Sequence, residues 1–274
     1  MSRPAVALVT GASSGLGREF ARLLAADGHD LVLTARRDGL LRSLAAELAE
    51  RHGTKSLVLP ADLSEEVAPE ELFAAVSAEG WPVDVLVNNA GIMGEGRLLD
   101  HPWSHHEALA RLKFLSPFHL VHLFLPAMLE RRRGIVLNVA SCGGLYPSSP
   151  TIPVYGAANM AVVRLTRTLS REYRGSGVTF TALCPGATRT AMYDASVLAW
   201  TVPKFLTEPP EKVARRGWDG ARAGRPLVIG GLNGLSMAIA RRLPDGLVDQ
   251  LIARWLIVAY DRRPAVSRSR STAV

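Results

Sequence analysis

Residues 5–26 constrain the fold of this chain most. The apolar run Ala5-Val6-Ala7-Leu8-Val9 ends in Thr10-Gly11-Ala12-Ser13-Ser14-Gly15-Leu16-Gly17, and a helical pattern starts at Arg18. A short, continuously apolar, β-branched run suits a strand buried on both faces of a parallel sheet. A glycine-rich turn between such a strand and a helix cradles anions. Gly11 permits the tight turn, Gly15 lets backbone approach a pyrophosphate, and Gly17 lets the helix pack closely. The free N–H groups of the helix start, flanked by Ser13, Ser14 and Leu16, would hold the phosphates. The placement of the loop between strand and helix carries this reading; the glycine spacing alone would not.

The same alternation continues down the chain. Strands are predicted at 31–35, 56–59, 83–87, 134–139, 178–183 and 226–229, and helices at 65–78, 103–130 and 154–173. Strands alternating with helices at this spacing imply right-handed crossovers and one parallel sheet. The predicted fold class is therefore α/β, a single Rossmann-type doubly wound parallel sheet flanked by helices over residues 1–260. Residues 191–224 read as a substrate lid, 233–260 as C-terminal helices and 261–274 as a basic tail. An apolar fraction of 48% and the lack of repetitive tracts exclude a disordered chain or a repeat array.

The second strand ends in Arg36-Arg37, where an acid would bind the ribose hydroxyls of an unphosphorylated dinucleotide. A guanidinium there suits a 2′-phosphate, set against the plainer reading of two solvated arginines at a helix start. Asp62-Leu63 follows the third strand and Asn88-Asn89-Ala90-Gly91 the fourth, both at the carboxyl ends where open sheets bind ligands. Asp62 could accept from an adenine amino group, Gly91 leaves room for the cofactor, and the asparagines can bridge loop backbones.

These residues, with Ser141, Tyr155 and Pro185-Gly186-x-Thr188-x-Thr190, resemble the short-chain dehydrogenase/reductase family. The resemblance covers residues 4 to about 192 in order and spacing. It implies a nicotinamide cofactor, here NADP(H), a small-molecule substrate and a homodimer or homotetramer. It also implies that Tyr155 exchanges a proton with the substrate oxygen, that Ser141 hydrogen-bonds the same oxygen, and that Pro185 to Thr190 wrap the nicotinamide carboxamide. A phenol with a pKa near ~10 needs a nearby positive charge to exchange protons at neutral pH. The family supplies it from a lysine four residues after the tyrosine, which also holds the nicotinamide ribose. Here that residue is Asn159, an uncharged amide able to hydrogen-bond ribose hydroxyls but not to supply the Coulomb attraction.

Counting back from Leu125-Pro126-Ala127-Met128, which resembles the family's helix-end motif, puts the family's active-site asparagine at Lys113. Lysine and asparagine have exchanged places by this reading, and Lys113 would enter the site from the opposite wall. Lys113 is one of four lysines in a chain whose cations are otherwise arginine. The plainer alternative is a snorkelling surface lysine.

The expected activity is NADP(H)-dependent oxidoreduction of ketoreductase or alcohol dehydrogenase type, on a carbonyl or hydroxyl of a mainly apolar, bulky small molecule. Met192, Tyr193, Val197, Leu198, Trp200 and Phe205 offer the apolar wall. Two alternatives keep the fold: non-redox acid/base chemistry such as elimination or cyclisation, or a non-catalytic NADP(H)-binding sensor. Net charge is +7, but the arginines are interspersed with acids, which favours anionic small ligands over nucleic acid.

Five of the seven histidines fall between residues 101 and 122, but without metal-ligand spacing no metal is expected. Cys142 and Cys184 read as small packing residues in a reducing compartment. No uninterrupted apolar run has membrane-spanning length, and the N-terminus runs straight into a strand, so a cytoplasmic location is expected. The amphipathic face Leu247, Val248, Leu251, Ile252, Trp255 and Leu256, with Arg262, Arg263, Arg268 and Arg270 beyond it, is expected to pack on the domain or its twin in preference to a membrane surface.

Overall fold

In the computed structural model of the chain, residues 3–231 and 243–262 are described. Seven strands form one parallel sheet: β1 Val6–Thr10, β2 Asp30–Thr34, β3 Ser56–Val58, β4 Val83–Asn88, β5 Gly134–Val139, β6 Val178–Cys184 and β7 Leu227–Ile229. Their order is β3-β2-β1-β4-β5-β6-β7. The chain winds outward from β1 to β3, returns to β4 and then winds the other way, so the order reverses between β1 and β4. An open α/β sheet binds its ligand at such a reversal.

Each central strand is buried on both faces, which explains the unbroken apolar runs. On one face α1 (Gly15–Ala26) and α2 (Asp38–His52) place Phe20, Leu24, Leu41 and Leu48 against Val9, Leu33 and Val85. On the other, α3 (Ala68–Ala78) and α5 (Ser116–Glu130) pack Leu72, Val76, Leu120 and Phe124 on Leu8, Leu86 and Val136. The helix α6 (Pro153–Glu172) adds Val162 and Val163 over Ala140, Ala182 and Cys184.

The predicted helix over 103–130 is one helical run with an irregular turn inside it. Trp103–Ala110 (α4) and α5 flank a π-helical turn at Arg111–Leu115. The run includes a window of mean hydropathy 1.4, apolar enough by length and composition to cross a membrane, although its Leu120, Phe124 and Met128 are part of the core under the sheet. A π turn inserts one residue into the helix and re-aims the side chains on it. Lys113 sits at its centre.

The predicted lid is too long. Ala191–Asp194 (α7) and Leu198–Thr201 (α8) do lie beside the cleft, but Pro210–Arg222 (α9) belongs to the main core. Its Val213, Ala214, Trp218 and Ala221 are buried against the layer that holds α1, and the Trp218 indole donates to Asp27 at 2.6 Å. The apolar spacing of a core helix and of a lid helix is the same, so periodicity could not separate them. Of the C-terminal segment, the helix Asp245–Asp261 is described. The expected helical residues 233–242 and the tail arginines Arg263, Arg268 and Arg270 lie outside the described residues.

Candidate active site

The carboxyl ends of the strands open into a cleft of about 290 Å³. Its walls include Gly11, Ser13, Ser14, Gly15, Leu16, Arg36, Arg37, Asp62, Leu63, Asn89, Ala90, Gly91, Lys113, Ser141, Tyr155, Pro185, Gly186, Thr188 and Thr190. The structure thus brings together every residue assigned to catalysis or cofactor binding from the sequence except Gly17 and Asn159.

Gly17 acts one layer back. A Cβ there would stand 2.2 Å from the Gly11 carbonyl oxygen and 2.5 Å from the Asn89 amide nitrogen, so only glycine lets α1 approach the loop. The Asn89 Nδ2 donates to the Thr10 carbonyl at 3.0 Å, while the Thr10 hydroxyl accepts from the N–H groups of Asn89 and Ala90 at 2.9 and 3.0 Å. These bonds tie the ends of β1 and β4 together across the reversal. Behind them Asn88 donates to Asn138 at 2.9 Å, and Asn138 donates to the Thr166 hydroxyl at 3.0 Å, a buried polar chain running from β4 to α6.

The cationic corner is organised by Arg37, whose Nη2 donates to the Ser13 and Ser14 hydroxyls at 2.9 and 2.8 Å. A guanidinium and two hydroxyls on a glycine loop form the donor set a phosphate monoester requires. Arg36 turns the other way and pairs with Asp62 at 3.7 Å. Burial works against the Asp62 charge, but two hydrogen bonds from Ser64 and the nearby Arg36 hold its pKa below the usual carboxylate value. Asp62 therefore presents an acceptor. The residues fit a phosphorylated dinucleotide: an anion corner at Arg37, an acceptor at Asp62 and a floor without side chain at Gly91.

At the other end, Ser141 and Tyr155 line the cleft together, and the Ser141 Oγ accepts from the Gly143 N–H at 3.2 Å. Burial pushes the Tyr155 phenol up to about 12, and the hydrogen bond to Ser141 offsets only part of that rise. Lys113 enters from the opposite wall, 6% exposed. Its Nζ donates to the Val139 carbonyl at 3.2 Å and stands 5.8 Å from the centroid of the Tyr155 ring. A Cβ on Gly91 would lie 2.7 Å from the Lys113 Cδ, so this glycine also makes the channel for the lysine stem. Burial lowers the amine to about 8, with a small opposing effect from Cys184. The ammonium lies over the ring, and burial is the largest influence on the phenol.

Asn159 does not line the cleft, although its side chain helps Ser141 lower the pKa of the Tyr155 phenol. It is wholly buried, its Nδ2 donates to the Tyr155 carbonyl at 2.8 Å, and its Oδ1 finds no partner among the described residues. The expected ribose contact is therefore not provided by Asn159 in this arrangement. An amide one turn along the helix prefers its own backbone to a site that a longer side chain would reach.

Several site residues gave no clear signal in the sequence. Ile92, Met93 and Cys142 line the cleft, and Glu95 anchors the wall opposite by accepting the Val197 N–H with both carboxylate oxygens at 2.9 Å. Met192, Tyr193 and Leu198 line the cleft as expected; Val197 is buried behind them, and Phe205 is 83% exposed and not part of the wall. The Trp200 side chain lies outside the described residues. His101, His105 and His106 form a ring cluster with His101 and His105 stacked at 4.3 Å, and His101 and His106 contact the carbonyls of Glu95 and Leu98 at 2.8 Å. They brace the loop that carries Glu95.

Comparison with known proteins agrees with this geometry. Residues 5–199 match the family described as short chain dehydrogenase. A short chain dehydrogenase of Pseudocercospora fijiensis is 36% identical over 192 residues, covering 68% of this chain and 60% of its own length, so the chain spans well under two thirds of that relative. The 7beta-hydroxysteroid dehydrogenase of Collinsella aerofaciens is 32% identical over 183 residues, 67% of this chain and 68% of that protein. Among solved structures, a short-chain dehydrogenase from Sphingobium yanoikuyae in complex with NADPH superimposes with a TM-score of 0.78 at 27% identity, covering 95% of this chain and 97% of the other. A nucleotide cleft at the sheet reversal, a serine and tyrosine at its far end and a match over most of the chain lead to one assignment: the protein belongs to the short-chain dehydrogenase/reductase family of oxidoreductases.

Proposed function

We propose that the protein is an NADP(H)-dependent reductase of bulky, mainly apolar ketones or aldehydes, working with a catalytic set in which Lys113 replaces the lysine missing at Asn159. The observation that carries this reading is the Lys113 amine inside the cleft, between the Val139 carbonyl and the Tyr155 ring. The preference for a phosphorylated cofactor rests on Arg37 and the two serine hydroxyls it holds. The apolar Ile92, Met93, Met192 and Leu198 suit an apolar substrate.

When bound, the nicotinamide supplies or accepts the hydride. The protein handles the proton and the position. Ser141 and Tyr155 hold the substrate oxygen, and the Tyr155 hydroxyl donates its proton as charge develops there. A phenol held near 12 is a reluctant donor, because the phenolate it leaves is poorly solvated. A positive charge on Lys113 stabilises that phenolate in the transition state more than it does the neutral phenol, so its effect falls on turnover. Buried apolar walls reduce screening and strengthen this interaction.

NADPH oxidation measured against a panel of bulky aryl and alicyclic ketones and aldehydes tests the reading. Turnover on members of the panel is expected, with NADPH preferred to NADH. Tight NADPH binding with no oxidation across the panel would instead favour a sensor, and substrate conversion without net change in cofactor would favour non-redox acid/base chemistry.

A further inference from the structure

Lys113 differs from the other three lysines in every respect that governs amine chemistry. Lys55, Lys204 and Lys212 are exposed, whereas Lys113 is buried and lines the cleft. No carboxylate pairs with it among the described residues, and its one hydrogen bond runs to a neutral carbonyl, that of Val139. Its other neighbours include the buried Cys184 thiol, a glycine backbone at Gly91 and the ring of Tyr155. Two hydroxyls able to deliver a proton, Ser141 and Tyr155, line the same cleft. An amine in a carboxylate-free, largely apolar pocket beside a proton donor is the arrangement that supports covalent capture of a carbonyl.

We propose that Lys113 is a covalent modification site: its amine forms an imine with aldehydes and unhindered ketones that enter the cleft. The free amine attacks the carbonyl carbon, forming the N–C bond while the carbonyl oxygen takes up a proton. The carbinolamine then loses a proton from nitrogen and its hydroxyl as water, leaving C=N. One water is released for each imine, and no oxidant or reductant is consumed. Burial favours the reactive form: with the amine at about 8, roughly a quarter is free base at pH 7.5, against roughly 0.1% for a solvated lysine. This capture does not depend on hydride transfer, and it would compete with turnover by withdrawing the cation from beside Tyr155.

The full chain is incubated with benzaldehyde and sodium cyanoborohydride, which fixes imines as secondary amines, and the labelled lysines are mapped by peptide mass spectrometry. Lys113 is expected to label at least about tenfold faster than Lys55, Lys204 or Lys212 at pH 7.5, since its larger free-base fraction outweighs the lower nucleophilicity of a weaker base. Its labelling rate should level off above about pH 8 while the other three continue to rise. Unfolding in urea should abolish the preference, and Lys113→Arg should lose that adduct while the other three label as before. Labelling of Lys113 no faster than of the exposed lysines in the folded chain would overturn the proposal. The wild-type map decides even if the arginine variant fails to fold, and it reads no turnover, so its outcome is independent of the proposed reductase activity.

Discussion

Lys113→Met is expected to make the protein more stable and nearly inactive in the same step. Holding a charged amine where burial has brought its pKa from 10.5 to about 8 costs roughly 3 kcal/mol at neutral pH. Methionine keeps the volume and removes that cost, so the urea midpoint should rise, by an amount equivalent to about 1–3 kcal/mol once the lost hydrogen bond to Val139 is allowed for. Turnover should fall about 10²–10³-fold, the range of a lost group that assists proton transfer. The sign of the pH dependence follows from the same group. The charged form is active and dominates below about 8, so kcat/KM of the wild type should fall as pH rises through that value. Stability runs the other way: the folded state binds fewer protons than the unfolded one between about 8 and 10.5, so this group's contribution becomes more favourable as pH rises through that window. A methionine variant that is less stable and still active would mean that Lys113 is a packing residue.

The second large effect is expected at Arg37. Arg37→Glu removes the guanidinium that gathers Ser13 and Ser14 and puts a carboxylate in its place. Charge-assisted hydrogen bonds to a phosphate contribute about 1.5–3 kcal/mol, and the new repulsion adds to the loss, so NADPH affinity should drop about 100-fold or more. NADH carries no 2′-phosphate and should be affected little, so the ratio of kcat/KM for the two cofactors should fall by a similar factor. Arg36→Glu should have the smaller effect, because Arg36 faces Asp62. Equal losses for both cofactors in the Arg37 variant would show that Arg37 only braces the loop.

The sheet was legible in the sequence because strands buried on both faces admit little but Val, Leu, Ile and Ala, and each is followed by a helix or a turn residue that marks its end. That Gly11, Gly15, Asn89, Arg36 and Arg37 line one cleft was legible for a related reason: glycines, asparagines and arginines at strand ends have few other uses there. What could not be read depended on tertiary contact. The π turn at Arg111–Leu115 leaves no periodic signature, although the position of Lys113 within the segment could be counted from Leu125-Pro126. The α9 helix could not be told from a lid, because the partner it buries, the α1 layer, is some two hundred residues away in sequence. Asn159 looked like a cleft residue from its spacing, but it is buried behind the cleft wall and its Nδ2 bonds the Tyr155 carbonyl. The role of Glu95 depends on Val197, across a separation no local pattern records.

The proposed exchange of lysine and asparagine is most directly tested by reversing it. Lys113→Asn, Asn159→Lys and the double variant are compared by NADPH-dependent turnover on one responsive ketone. Under the proposed exchange the two positions serve one function, so their effects should be strongly coupled. Each single change is expected to lower turnover about 100-fold, the first by removing the cation and the second by adding a like charge beside it. The double variant, with one cation and one amide restored in mirrored positions, should recover to within about tenfold of the wild type. Losses that simply add in the double variant would contradict the account.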